Sequence, residues 1–315
     1  MTLRVAVFGA GGVGAYFGAR LAEGGAELAV IARGAHLDAI RDGGLRIDSV
    51  LGDMRLAPAI ATTDAAEVGP VDVVLLGVKT WQVPDVAQSL RPLLGPSTFV
   101  VPLQNGVETV DELTTALGER HVVGGLCSGF CFIVAPGHVR HIGGATFIKF
   151  GELDGQKTAR VLALRDAFAA ARVDAEVPDD IRVALWEKFL LVVPFGGIGA
   201  VSRAPIGVLR TPPTRELLER GMREIEAIAR ARGVALPDDA VARAFEMLDE
   251  ANPSGTSSLQ RDVAAGKPSE LDAWTGAVVR LGARAGVPTP LHDVLYAVLL
   301  PQERRARGEI AFSPP

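Results

Sequence analysis

An apolar run from Leu3 to Phe8 leads into GAGGVG at Gly9 to Gly14, and an amphipathic stretch from Val13 to Glu23 follows. Few short patterns constrain a fold as much. Gly9, Gly11 and Gly14 stand at the first, third and sixth positions of a glycine turn between a strand and a helix. The first permits a tight turn, the second lets backbone approach a pyrophosphate, and the third lets helix and strand pack closely. The amides of Ala10, Gly12 and Val13 complete a helix N-terminus, where an anion is favoured. With 36 glycines in the chain, the spacing alone arises easily by chance. The strand and helix on either side make it a candidate dinucleotide site, the alternative being a tight turn with no ligand.

The rest of the first half extends this pattern. Glu27 to Ala32, Val71 to Val78, Thr98 to Leu103 and His121 to Val123 read as further strands, and Trp81 to Leu93 and Val107 to Leu117 as helices between them. Apolar strands alternating with amphipathic helices predict a parallel sheet covered by helices, of Rossmann type. From Cys127 to Phe150, alternation at Phe130, Phe132 and Val134 and a turn at Ala135 to His138 predict an antiparallel extension of that sheet. After about Asp179 strand signals stop. Leu217, Leu218, Met222, Ile225, Ile228 and Ala229 recur at helical spacing, as do the stretches from Glu270 and from Leu291. A length of 315 residues suits two domains. The expected division is an α/β nucleotide-binding domain over 1–178 and an all-helical domain over 179–315, with Ala311 to Pro315 as a frayed tail.

Composition excludes several classes of function. Lys+Arg 32 against Asp+Glu 37 gives a net charge of −5, without the basic excess that nucleic acid or an anionic membrane calls for. Cys127 and Cys131, about 13 Å apart along a strand, cannot bridge, which fits a reducing, cytoplasmic setting. The uncharged stretches Pro92 to Val107 and Val122 to Gly137 are too short for a membrane span and contain Pro and Gly. Arg4 followed by uncharged Val5 to Ala19 imitates a signal peptide, but the five glycines from Gly9 to Gly18 argue against one. His36, His121, His138, His141 and His292 show no metal-ligand spacing, and no GxSxG nucleophile motif is present. The expected partner is a small molecule, with a homodimer as the only assembly considered.

Several polar residues fall where an α/β sheet places ligands. A dinucleotide lacking a 2′-phosphate asks for a carboxylate at the end of the second strand, but this chain has Ala32, Arg33 and Gly34 there. A guanidinium binds a 2′-phosphate through charge-assisted hydrogen bonds, so Arg33 favours NADP over NAD; otherwise it is a solvated charge. Lys79 and Asn105 follow the third and fourth strands. Lys188, in LWEKFLLVVPFGGIGAVSR, is either a general acid for a carbonyl oxygen or a lysine snorkelling from a helix edge. Ser258 and Asp262 share a helix face at i, i+4, and Glu270 opens the next helix; Ser257 and Glu270 are equally candidate caps.

Taken in order, GxGxxG, Lys79, Gln104-Asn105-Gly106, Trp186-Glu187-Lys188, Ser257-Ser258 with Asp262, and Glu270 resemble the ketopantoate reductase (2-dehydropantoate 2-reductase) family over nearly the whole chain. The resemblance implies NADPH-dependent reduction of a 2-oxo acid to a 2-hydroxy acid, with ketopantoate to pantoate, in pantothenate biosynthesis, as the leading case. It implies Lys188 as proton donor, Asn105 near nicotinamide and substrate, Ser258 on the substrate, and Lys79 and Glu270 holding the cofactor region, with the site between the two domains. Family members usually carry asparagines four and eight residues after the lysine; here Val192 and Gly196 stand there. Both are therefore expected to line a less polar substrate pocket. Two alternatives follow: a reductase of another, less polar 2-oxo acid, or a sensor that binds NADPH without turnover.

Overall fold

The computed structural model describes residues 2–312. Its first half runs β1 (Arg4–Phe8), α1 (Gly12–Glu23), β2 (Glu27–Ile31), α2 (Gly34–Gly43), β3 (Leu45–Ser49), β4 (Met54–Leu56), β5 (Ile60–Thr62), α3 (Ala65–Val68) and β6 (Val71–Leu76). Then come α4 (Val83–Val86), β7 (Leu94–Pro102), α5 (Thr109–Leu117), β8 (Gly124–Ser128), β9 (Cys131–Ala135), β10 (His138–His141), β11 (Phe147–Gly151), α6 (Ala159–Ala170) and β12 (Asp174–Glu176). The remainder is helical: α7 (Ile181–Ser202), α8 (Ile206–Leu209), α9 (Pro212–Ala231), α10 (Ala240–Glu250), α11 (Ser258–Ala264), α12 (Ala277–Ala285) and α13 (Pro290–Ala306). The chain divides into two compact units. One comprises Met1–Asn105 with Thr109–Ile181, the other Gly106–Glu108 with Arg182 onward.

In the first unit a five-stranded sheet of order β5-β2-β1-β6-β7 pairs in parallel throughout. Val5, Val7, Val73, Leu75 and Val101 are fully buried in it, as expected of β-branched and aliphatic residues in a sheet covered on both faces. Because β2 and β6 flank β1 on opposite sides, the strand order reverses at β1. Open α/β sheets bind ligands at the carboxyl ends of the strands around such a point. In the second unit α9 buries Leu218, Met222, Ile225, Ile228 and Ala229 along one stripe, the spacing that marked it as a helix.

Three expectations need correction. Trp81 to Leu93 is no single helix: 3₁₀ turns at Thr80–Gln82 and Ala87–Leu93 flank the four-residue α4. Pro84 and Pro92 remove amide donors from this stretch, which favours short pieces. His121 closes a 3₁₀ turn (Glu119–His121), and Val122 makes only an isolated bridge to Val100, so His121 to Val123 forms no strand. The β-rich region from Cys127 does hold antiparallel pairs, β9 with β10 and β8 with β11, but they belong to two further sheets, β4-β3-β10-β9 and β12-β11-β8. By length and composition α7 is long and apolar enough to cross a membrane, but 61% of its most apolar window is buried inside the protein, so its apolar length also serves a core. The residues imitating a signal peptide form β1 and α1. In the proposed tail, Ser313 to Pro315 lie outside the described residues.

Candidate active site

The turn after β1 is built by backbone crowding. Gly9 has φ +91°, and a Cβ on it would sit 2.7 Å from the Val78 amide nitrogen. A Cβ on Gly14 would lie 2.6 Å from the Gly9 carbonyl oxygen. No side chain fits at either place without moving main chain. Gly77, which sequence reading did not single out, closes the same contact from β6: its Cβ would fall 2.5 Å from Gly9 O and 3.1 Å from Gly14 Cα. Gly11 is the N-cap of α1 and supplies no side-chain cap, so the first amides of a twelve-residue helix are left for another acceptor. A Cβ on Gly12 would run into the Cys131 carbonyl at the start of β9.

Other candidates sit at the ends of neighbouring strands. Arg33, exposed, is the N-cap of α2 just beyond β2, and the buried Ala32 before it offers no carboxylate. His36, three residues further on, accepts the Gly137 N–H at 3.0 Å through Nδ1, and burial pushes its pKa down. Lys79 is exposed beyond β6, with its ammonium 5.7 Å from the centre of the Trp81 ring. Asn105 is half-buried beyond β7. Its position is fixed by Gln104, whose buried amide donates to Leu76 O at 2.9 Å and Val78 O at 2.8 Å, joining the ends of β6 and β7. The strand ends that carry Lys79 and Asn105 are thus joined by the Gln104 side chain.

In the second unit, Lys188 is half-buried on α7 between Glu187, which pairs with Arg243 at 2.9 Å, and the fully packed Phe189. Val192, one turn on, is half-buried. Gly196 is buried, and a Cβ on it would lie 2.8 Å from Cζ3 of the Trp274 indole. Ser257 is the N-cap of α11 and accepts the Gln260 N–H at 3.0 Å, so it is a cap, while Ser258 and Asp262 share that helix. Glu270 is buried, and its carbonyl oxygen accepts the Trp274 main-chain N–H at 3.0 Å. It follows Ser269, whose amide and hydroxyl donate to Glu303 at 3.0 and 2.5 Å.

The histidines have structural partners. His121 contacts Thr98 O at 2.8 Å, His138 lies 2.8 Å from Asp48, and His292 lies 2.5 Å from Glu224, whose carboxyl is held below its usual range by His292 and the Leu291 amide against the opposing effect of burial. Burial, with Cys127 nearby, pushes the Cys131 thiol up to about 12, so it is a poor nucleophile. Among the described residues no group of three or more His, Cys, Asp or Glu is placed to hold a metal.

The arrangement has counterparts. Residues 5–155 match the family model described as ketopantoate reductase PanE/ApbA, and residues 180–303 match its C-terminal model. The chain is 33% identical to a 2-dehydropantoate 2-reductase of Mesorhizobium japonicum over 94% of this chain and 97% of that one. It is similar to the crystal structure of a PanE/ApbA family ketopantoate reductase from Ralstonia eutropha, with TM-score 0.87 and 36% identity over 97% and 100% of the two chains. A 2-dehydropantoate 2-reductase from Methylococcus capsulatus gives TM-score 0.88 at 29% identity over 96% and 98%. With glycine turn, strand-end residues and α7 lysine all in place, this chain belongs to the ketopantoate reductase family.

Proposed function

We propose that this protein reduces 2-dehydropantoate to pantoate with NADPH. The observation that carries the reading is the glycine turn with an uncapped α1 N-terminus and, beyond the neighbouring strand, an exposed Arg33 where a carboxylate would repel a 2′-phosphate. These residues fit NADPH: α1 amides and the turn for the pyrophosphate, Arg33 for the 2′-phosphate, with Lys79 and Glu270 holding the cofactor region. When bound, NADPH supplies the hydride that the carbonyl carbon of the 2-oxo acid accepts.

Lys188 donates a proton from Nζ to the carbonyl oxygen as the C–O double bond becomes a single bond, and the neutral lysine regains its proton from solvent. The products are the 2-hydroxy acid and NADP⁺. A positioned acid of this kind contributes about 10²–10⁴-fold. Asn105 orients the nicotinamide and substrate, and Ser258 hydrogen-bonds the substrate. Val192 gives the same site an apolar wall. Titrating NADPH and NADH into wild type and Arg33→Ala, together with turnover of ketopantoate, tests the reading. Equal cofactor losses, or a wild-type preference for NADH, contradict the NADPH assignment; absence of turnover on any 2-oxo acid contradicts the reaction.

A further inference from the structure

The turn Asp272–Gly276 is wider than an α-turn: the Gly276 N–H donates to Leu271 O, five residues back, at 3.0 Å. Single π turns of this kind concentrate at functional positions. Each residue here makes a different contact. Asp272 accepts from Arg280 at 2.9 Å and from the Tyr296 hydroxyl at 2.8 Å. The Ala273 carbonyl oxygen lies 3.4 Å from where Gly106, next to Asn105, would carry a Cβ. Trp274 and Thr275 face the glycine pair of α7. A Cβ at Gly196 would be 2.8 Å from Trp274 Cζ3, 3.1 Å from Cε3 and 3.4 Å from Leu259 Cδ2, and one at Gly197 would be 3.6 Å from Thr275 Oγ1.

Trp274 is 2% exposed, and its Nε1 finds no hydrogen-bond partner among the described residues; the same holds for Thr275 Oγ1. A buried donor without a partner costs about 1–3 kcal/mol. A phenyl ring would fill much of this space without that cost, so stability alone does not account for an indole here. Its surroundings supply another reason. The Trp274 main-chain N–H donates to Glu270 O at 3.0 Å, and the indole covers Gly196, about 12 Å along α7 from Lys188, at a place that Leu259, beside Ser258, also approaches. Two candidate site residues thus meet this one residue, Glu270 through its main chain and Gly196 through its indole.

We propose that Trp274 is a specificity-determining residue: its indole takes the volume a side chain at position 196 would fill, and so limits the length and bulk of the 2-oxo acid's tail. The proposal rests on the reading of Lys188 as the group that serves the carbonyl. It assigns the site to 2-oxo acids with compact, branched tails and against those with extended or aryl tails. No side chain can be added at position 196 unless the indole recedes.

The test uses the purified chain with NADPH, as wild type, Trp274→Leu and Trp274→Phe, each checked for folding by thermal melting. For Trp274→Leu, kcat/KM for phenylpyruvate relative to ketopantoate rises about tenfold or more, through a lower KM for the bulky acid with kcat little changed. Trp274→Phe keeps the wild-type ranking. N-alkyl oxamates, which carry the oxo-acid head but accept no hydride, give the same ranking by calorimetry without turnover. Gly196→Ala binds bulky oxamates still more weakly, and Trp274→Leu in the same chain reverses this. A folded Trp274→Leu protein with wild-type rankings overturns the proposal, as does failure of every variant to bind any oxamate. Altered oxamate ranking without turnover overturns the reading of Lys188 and leaves the role of the indole standing.

Discussion

The half that holds the glycine turn and the half that carries Lys188 are built by different means. Around Gly9, Gly14 and Gly77 the site is main chain against main chain at the limit of contact, and what it offers a ligand is amide groups. In the half that carries Lys188, side chains set the shape: the Trp274 indole over Gly196, Ser269 on Glu303, Glu187 on Arg243. A backbone site tolerates one residue type at each crowded position. A packed site is set by pairs that change together, so its chemistry persists while the shape around it varies. Cofactor binding and reaction class are accordingly fixed more firmly than the substrate's tail.

The largest disruption is expected in the packed half. Glu303 is 4% exposed and accepts from the Ser269 amide and hydroxyl while pairing with Arg307 at 2.6 Å. Glu303→Ala leaves those donors buried without acceptors and should cost about 3–5 kcal/mol in urea unfolding. Loss of under ~1 kcal/mol would show that the segment before Glu270 is held by something else. Glu303→Gln, which keeps an acceptor, should lose less.

Next in size is a test of the backbone half. Arg33→Ala removes one charge-assisted contact and should weaken NADPH roughly tenfold to a hundredfold while leaving NADH nearly unchanged. Calorimetry with both cofactors reads this directly. Because Arg33 is exposed at an N-cap that makes no side-chain hydrogen bond, the melting temperature should stay put. A fall in both affinities would mean that the residue shapes the turn rather than reading the phosphate.

The smallest effect concerns pH. His141 lies between Ser49 Oγ on Nδ1 and Thr146 Oγ1 on Nε2, both at 2.8 Å, and Thr146 in turn donates to Gly144 O at 3.2 Å. Thr146 therefore accepts from Nε2–H, and Nδ1 accepts from the Ser49 hydroxyl, an arrangement that requires neutral imidazole. Burial, and then the charge of Arg20, lower its pKa below the ordinary 6.5. A histidine with a depressed folded pKa contributes stability that is complete above 6.5 and is lost as pH falls from 6.5 towards the folded value. Wild type should thus lose stability over that window more steeply than His141→Gln, the lost acceptor being worth about 1 kcal/mol. Parallel pH dependences would exclude His141 as the source.

What the sequence revealed follows the same division. GAGGVG, Lys79 and Asn105 were legible because strand ends and glycine turns leave local marks. Ser257 was legible as a possible cap, and the structure decides for that role. Gln104 showed in the QNG turn, but its part in joining β6 to β7 depends on the carbonyls of Leu76 and Val78, over 25 residues earlier, and no local pattern encodes that. Arg20 lies in the amphipathic stretch Val13 to Glu23, where nothing local marks it for burial. It is 3% exposed because Glu23, Tyr16 and Ser49 receive its guanidinium. Gly196 was visible only as an absent side chain. That Trp274, 78 positions later, fills the space depends on packing between α7 and a π turn, whose single-residue insertion has no periodic signature.

The central claim is that one half binds NADPH and Lys188 in the other half delivers the proton, so the two functions separate on substitution. Measuring kcat for ketopantoate and the Kd for NADPH on one preparation of Lys188→Ala tests this most directly. The account predicts that kcat falls by about 10²–10⁴-fold while Kd stays within roughly threefold of wild type. A kcat within a few-fold of wild type, or a Kd that collapses along with kcat, would contradict it.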